Sequence, residues 1–312
     1  MKNIMIQKFY DRLESFLIAF FNRLDKPALQ NRILLGQILS QQVRKTTSVN
    51  RLSEVEFKIF SQHREDGIIQ YLIHHVPISH KTFIEFGVED YRESNTRFLL
   101  MNDNWKGLIM DSQRKYISRI QSYDLYWQHD LKAVQAFITK DNINDLCREH
   151  GFIGEIGLLS IDIDGNDYWV WNSLTAIQPR IVICEYNSVF GKDLAITIPY
   201  NPDFFRTKAH YSNLFFGTSL KALCVLAEKK GYKFAGSDSS GSNAFFVRND
   251  VAQNIAHFTC EEGFVQSVAR ESRDSRGHLT FISGSDRINL IANEKVFDVL
   301  SQKEVLIKEL IL

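Results

Sequence analysis

The chain has 312 residues, of which 44% are hydrophobic and 24% charged, and its 37 basic side chains are balanced by 37 acidic ones. That composition is the one of a soluble globular protein, long enough for one α/β domain with appendages or for two domains. The balanced charge gives no global basic field to gather nucleic acid, and no run approaches the ~20 apolar residues of a transmembrane helix.

Residues 5–24 carry Met5, Ile6, Phe9, Leu13, Phe16, Leu17, Phe20 and Leu24 at helical spacing. A second helix is expected from Pro27 to about Arg44, since proline suits a first-turn position. Such helices dock on a domain, pair in a homo-oligomer, or lie on a membrane surface as a peripheral contact. The charged start has no signal-peptide pattern, and Cys147, Cys184, Cys224 and Cys260 have no metal spacing. They read as buried apolar residues of a reducing, cytoplasmic setting.

After the polar stretch Lys45–Glu54, the segment Phe60–His75 predicts a helix leading to a first strand. Phe83–Asp111 then reads as strand, acidic turn, helix, turn and strand, with Glu85 and Asp111 closing the two strands. Asp124–Gln128 predicts a short third strand closed by His129–Asp130, and Leu131–Ile138 and Ile143–His150 predict helices, the latter stopped by Gly151. Leu158–Asp164 is an apolar run broken by acids and suits a strand buried on both faces. Tyr168–Ile177 predicts a helix, Arg180–Tyr186 a further buried strand, and Gly191–His210 a long irregular connection of the kind that forms lids. Ser219–Lys230 predicts a helix ended by Gly231, followed by a hairpin of Tyr232–Ala235 and Ala244–Arg248. The expected organisation is a helical module over 1–57, a doubly wound, seven-stranded Rossmann-like sheet over 58–250 and a mixed C-terminal extension over 251–312.

The turn after the first strand, Gly87-Val88-Glu89-Asp90-Tyr91, holds one glycine and two carboxylates. A dinucleotide site instead needs bare amides of a G-x-G-x-x-G loop against its pyrophosphate. An acidic turn repels a diphosphate and suits a cationic, phosphate-free adenosine compound, of which S-adenosylmethionine is one. In that arrangement Glu85 and Gly87 face the methionine part, Asp111 the ribose hydroxyls and Asp130 the adenine amino group. Acids that merely cap strand ends are the plainer alternative.

Several segments in order, FSQHREDGII at Phe60–Ile69, FIEFG, SNTRFLL, NWKGLIMD and IDIDGND, resemble the FkbM-like S-adenosylmethionine-dependent methyltransferases. The similarity runs from about Phe60 to Arg248. It departs from the family pattern in the first turn and at Asp164, where glutamate is common. It adds Asn95, Thr96, Ser112 and Asp162 to the expected cofactor contacts. It also implies O-methylation of a carbohydrate or glycolipid precursor in polysaccharide or secondary-metabolite tailoring.

Methyl transfer needs an aligned nucleophile and a route for its proton. Asp162, Asp164 and Asp167 end the fourth strand, and Glu185 with Asn187 the fifth, so these side chains can converge. Asp164, Glu185 and Asn187 offer hard-cation ligands for magnesium or calcium. Alternatively Asp162 or Asp164 acts as a base with no metal, or caps the next helix. His210 is a further candidate base, and Tyr186 and Asn187 candidate lining of the acceptor pocket. Arg270, Arg273, Arg276 and Arg287 read as a solvated loop or as a contact for a phosphate or acidic sugar. A methyltransferase with another small-molecule or peptide acceptor, and a catalytically silent binding module, are the rival readings.

Overall fold

The computed structural model describes residues 27–311. The helix expected over 5–24 therefore lies outside the described residues. The second helix forms as expected over 27–44 (α1). Among the described residues no helix is long and apolar enough to cross a membrane.

The central strands are β1 (Thr82–Phe86), β2 (Lys106–Asp111), β3 (Leu131–Gln135), β4 (Gly154–Ile161), β5 (Ile177–Glu185), β7 (Tyr232–Ser237) and β8 (Asn243–Arg248). They form a seven-stranded sheet in the order β3-β2-β1-β4-β5-β8-β7. β1 to β5 run parallel, while β8 is antiparallel to both of its neighbours. The apolar runs of β1, β4 and β5 feed two cores at once. Phe83, Leu158 and Ile183 point to one face, and their chain neighbours Ile84, Leu159 and Cys184 to the other. Successive side chains alternate across a strand, so a continuous apolar run requires helices on both faces.

One face is covered by α1, α2 (Glu65–His75), α3 (Arg97–Asp103) and α4 (Arg114–Gln121), which bring Val43, Ile68, Phe98 and Ile117. The other is covered by α6 (Ile143–Glu149), α7 (Asp167–Ser173) and α9 (Leu220–Lys230), which bring Ile143, Trp171 and Leu223. The caps of α9 are those expected: the Ser219 hydroxyl accepts from the Ala222 amide, and Gly231 closes the helix in the left-handed conformation.

The third strand differs from expectation. Asp124–Gln128 is a single helical turn, α5, and the strand is Leu131–Gln135. The aromatic run DLYWQ has strand propensity, but only Leu125 is buried there and Trp127 is 75% exposed. Leu131 and Ala133 are buried while Lys132 is exposed, the alternation of an edge strand.

The long connection holds β6 (Ile196–Thr197) and a short helix α8 (Arg206–Ala209). β6 pairs with β9 (Lys295–Asp298), which pairs with β10 (Lys303–Leu306), forming a small antiparallel sheet. The C-terminal segment thus shares an apolar core with residues 189–215, through Phe190, Ile198 and Leu214 against Ile291, Val296 and Ile307. That union holds residues 265–287, between α10 (Cys260–Gly263) and the end of α11 (Ser285–Leu290), against the residues that follow the carboxyl end of β5.

Candidate functional site

A cleft of about 660 Å³ opens at the carboxyl ends of the parallel strands, where the strand order reverses between β1 and β4. This switch point is the general ligand site of doubly wound sheets, because neighbouring connections leave in opposite directions there. Gly87, Asp111, Ser112, Asp162, Glu185 and Asn95 line it, as expected.

Gly87 forms the floor. It has φ 72°, and a side chain on it would run into the backbone carbonyl of Asp162 on the adjacent strand. Only glycine permits that approach of the β1 turn to β4. Beyond it, Asp111 accepts hydrogen bonds from the Glu89 amide at 3.0 Å and the Gln113 amide at 2.7 Å. Each of its oxygens retains a further lone pair towards the cleft. Of the two turn acids, Glu89 lines the cleft, whereas Asp90 is held by Arg119 at 3.1 Å and Arg92 at 3.7 Å. Burial and the charges of Asp111, Asp90 and Asp164 push the Glu89 carboxyl upward.

Glu85 lines the cleft and has a second task that was not expected. Its carboxylate accepts from the Ser94 hydroxyl (2.6 Å), the Asn95 amide (2.8 Å), and the Thr96 amide (3.1 Å) and hydroxyl (2.5 Å). Oε2 takes three of these donors and Oε1 only the Asn95 amide, so Glu85 anchors the 94–96 segment and still lines the cleft with an acceptor site left on Oε1. Thr96 is fully buried in that anchor and does not line the cleft. Asn95 does, with its side-chain amide donating to the Ser160 hydroxyl at 3.1 Å.

Asp130, contrary to expectation, is not at the cleft at all. It precedes β3, at the amino end of the sheet, and pairs with Lys106 at the start of β2. The shift of the third strand by several residues carried the expected adenine contact to the wrong edge. Ala136, Phe137 and Ile138 stand at the cleft in its place. Phe137 and Phe205, of the long connection, lie 5.5 Å apart between ring centroids at its rim.

Asp162, Asp164 and Glu185 bring carboxylate oxygens within 4.8 Å of one another. Burial pushes Asp162 well up, with Asp164, Asp167 and Glu85 adding to it; burial does the same to Glu185, with Asp162 and Asp164 adding. Arg206 opposes both shifts and bonds Asp164 at 2.8 Å and Glu271. One Glu185 oxygen, Oε2, is buried with no hydrogen-bond partner. A crowded, incompletely satisfied acid group is chemically suited to take a proton or a cation.

Two expected members are tied by hydrogen bonds to the long connection. Asn187 lines the cleft; its amide donates to the Leu214 and Phe216 carbonyls and its oxygen accepts from the Val189 amide, so it also pins the connection. His210 bonds the Ser212 hydroxyl at 2.7 Å, faces Glu294 and lies outside the cleft lining, too remote for a base. Asp167 is wholly buried, accepts from the Ile163 and Gly165 amides and sits at about 6 through burial. It holds the turn that presents Asp164, itself at φ 55°. Tyr186 lines the cleft but spends its hydroxyl on the Val265 carbonyl. Of the four tail arginines only Arg287 reaches the cleft; the other three are exposed.

Sequence reasoning missed Arg206, Glu65 and the aromatic pair Phe204–Phe205. Glu65 is buried at the start of α2, accepts from Asn243 at 2.8 Å and is pushed up to about 7, chiefly by burial and then by Asp238. Nothing in a helix-starting glutamate marks it as cleft lining. An FFR triplet inside a long loop was the available signal for the others.

No protein-family model and no curated protein matches the chain. Among solved structures it is similar to the N-terminal domain of EvdMO1 with S-adenosylhomocysteine bound, at 9% identity over 68% of this chain and 94% of that one, TM-score 0.39. It is similar to an S-adenosylmethionine-dependent methyltransferase from Clostridium acetobutylicum ATCC 824, at 8% identity over 59% and 90%, TM-score 0.38. It is also similar to an O-methyltransferase from Bacillus cereus in complex with S-adenosylhomocysteine, at 12% identity over 53% and 72%, TM-score 0.35. At these identities the likeness is one of chain architecture.

Proposed function

We propose that the chain is an S-adenosylmethionine-dependent methyltransferase of the FkbM-like kind, acting on a hydroxyl of a carbohydrate or glycolipid precursor. The observation that carries the cofactor reading is the acidic floor of the switch-point cleft. Glu89 faces it beside the single glycine Gly87, in a place where a diphosphate ligand would need bare amides and no negative charge. A cationic adenosine compound with free ribose hydroxyls fits that floor, with Asp111 accepting from the ribose. Phe137 and Ile138 supply apolar walls for the base.

In the reaction, the acceptor oxygen displaces the sulfonium: an O–C bond forms as the C–S bond breaks, and S-adenosylhomocysteine leaves. The acceptor's proton passes to Asp162, which burial and the neighbouring acids make readier to hold a proton than an ordinary carboxylate. As the alternative to that base, Asp162, Asp164 and Glu185 would together hold a divalent cation, which when bound would supply acidity to the acceptor hydroxyl. The rim aromatics and the segment around Ser267 exclude water.

Calorimetry tests the cofactor reading. S-adenosylhomocysteine is expected to bind and NAD is not. Asp111→Ala is expected to weaken the former by more than about 1 kcal/mol, the scale of a lost hydrogen bond. Absence of any binding by the thioether would overturn this reading in favour of a silent module. Residues 27–44 expose Leu34, Leu35 and Ile38, which supports an N-terminal contact with a membrane surface or a second copy. Co-sedimentation with liposomes is expected to fall on removal of residues 1–24, and an unchanged result would leave oligomerisation as the role.

A further inference from the structure

The acceptor end of the cleft holds a buried cation with no paired counter-ion. Arg287, on α11, is only 6% exposed and lines the cleft. Its Nη1 donates to the Ser267 carbonyl at 3.1 Å, its Nε has no partner, and among the described residues no carboxylate lies within ion-pair distance of it. The acid whose charge acts on it, Glu271, is bonded to Arg206 instead. Burying a guanidinium without a counter-charge is costly, which is why such groups are normally paired. Two other arginines, Arg180 and Arg248, share Glu155 at 2.6 and 2.7 Å, and Arg97 is held by the Tyr91 and Arg92 carbonyls and the Phe60 ring. Arg206, the other arginine of the cleft, is already engaged by Asp164 and Glu271 and packs over the Phe216 ring.

We infer that Arg287 is an anion-recognition point and that the acceptor carries a carboxylate near the hydroxyl that is methylated, as in a uronic acid. This deepens the methyltransferase reading and rests on it for the word acceptor. Charge selects a carboxylate over a phosphate. A single guanidinium balances one negative charge, whereas a dianion would meet the surplus of Asp164, Glu185 and Glu271 on the same cleft wall. The guanidinium fork also matches a carboxylate geometrically, with Nε and one Nη side by side. The source of Arg287 explains why the strand motifs are silent on it: it comes from the extension that the small sheet ties down.

The test uses the full chain, with and without S-adenosylhomocysteine, titrated with D-glucuronate against D-glucose and 4-hydroxybenzoate against phenol. At least one acid is expected to bind tenfold or more tighter than its neutral partner. Arg287→Met is expected to erase that preference and Arg287→Lys to keep part of it. Glucose 6-phosphate is expected to bind less tightly than glucuronate. Equal binding of acid and neutral in both pairs, or a preference that survives Arg287→Met, overturns the proposal, and tighter binding of the phosphate overturns the choice of carboxylate. Should Arg287→Met fail to fold, the wild-type preference and its reduction in Arg287→Lys decide alone. An acid preference without any binding of S-adenosylhomocysteine would sink the methyltransferase reading and leave the anion site standing.

Discussion

Gly87→Ala is expected to destabilise the protein by more than about 3 kcal/mol and to abolish binding of S-adenosylhomocysteine. Two costs add at this position. The backbone has φ 72°, where a Cβ costs about 1–2 kcal/mol. The new atom would also overlap the carbonyl of Asp162, a backbone group in a sheet and not the end of a flexible side chain. Relief requires the β1 turn and β4 to separate, which opens the floor on which Asp111 and Asp162 stand. Gly151 provides the control, since it has φ 79° and a Cβ added there would meet nothing within 4 Å. Gly151→Ala should therefore lose only the conformational cost. Chemical denaturation of both variants, with calorimetry on the folded ones, checks this. Similar losses for the two would show that the contact with Asp162 contributes nothing.

The sequence made the central strands legible because their apolar runs are long and bounded by acids or glycine, as in Leu158–Asp164. It failed at β3, a half-exposed edge strand of five residues whose pattern is weaker than the aromatic run before it. One misplaced edge strand then moved a site residue, Asp130, to the opposite end of the sheet. Positions such as Gly87, Asp111 and Asp162 were legible because strand ends are set by the chain itself. The partners of those ends were not. The anchoring role of Glu85 was not legible, because Ser94, Asn95 and Thr96 return to it through a loop whose path no periodicity encodes. The same holds for Arg206 and Arg287, which reach the cleft only through the pairing of β6 with the distant β9, Ile196 against Asp298.

Asp162→Asn combined with Glu185→Gln is expected to raise stability at neutral pH while abolishing methyl transfer. Both carboxyls have folded-state pKa values raised above their ordinary ones, by burial first and by neighbouring acids second. The sign follows from proton linkage. The folded protein holds these protons to higher pH than the unfolded chain does, so their contribution to stability is complete below the unfolded value of about 4. It is lost as pH rises through the folded values. At neutral pH the wild type therefore carries repulsion that the amides lack, and each kcal/mol relieved should raise the melting temperature by about 2–4 °C. The advantage of the variant should shrink as pH falls through the raised folded values of the wild-type pair, where the pair regains its protons. Millimolar magnesium should raise the wild-type melting temperature at neutral pH and leave the variant unmoved, because only paired carboxylates neutralise a divalent charge. Transfer to an acceptor found by screening with labelled methyl donor should fall at least about 100-fold, the contribution of a positioned base. A variant less stable than wild type at neutral pH would mean that Arg206 already compensates the cluster. In that case the acids serve architecture, and neither a base nor a cation site remains at the end of β4 and β5.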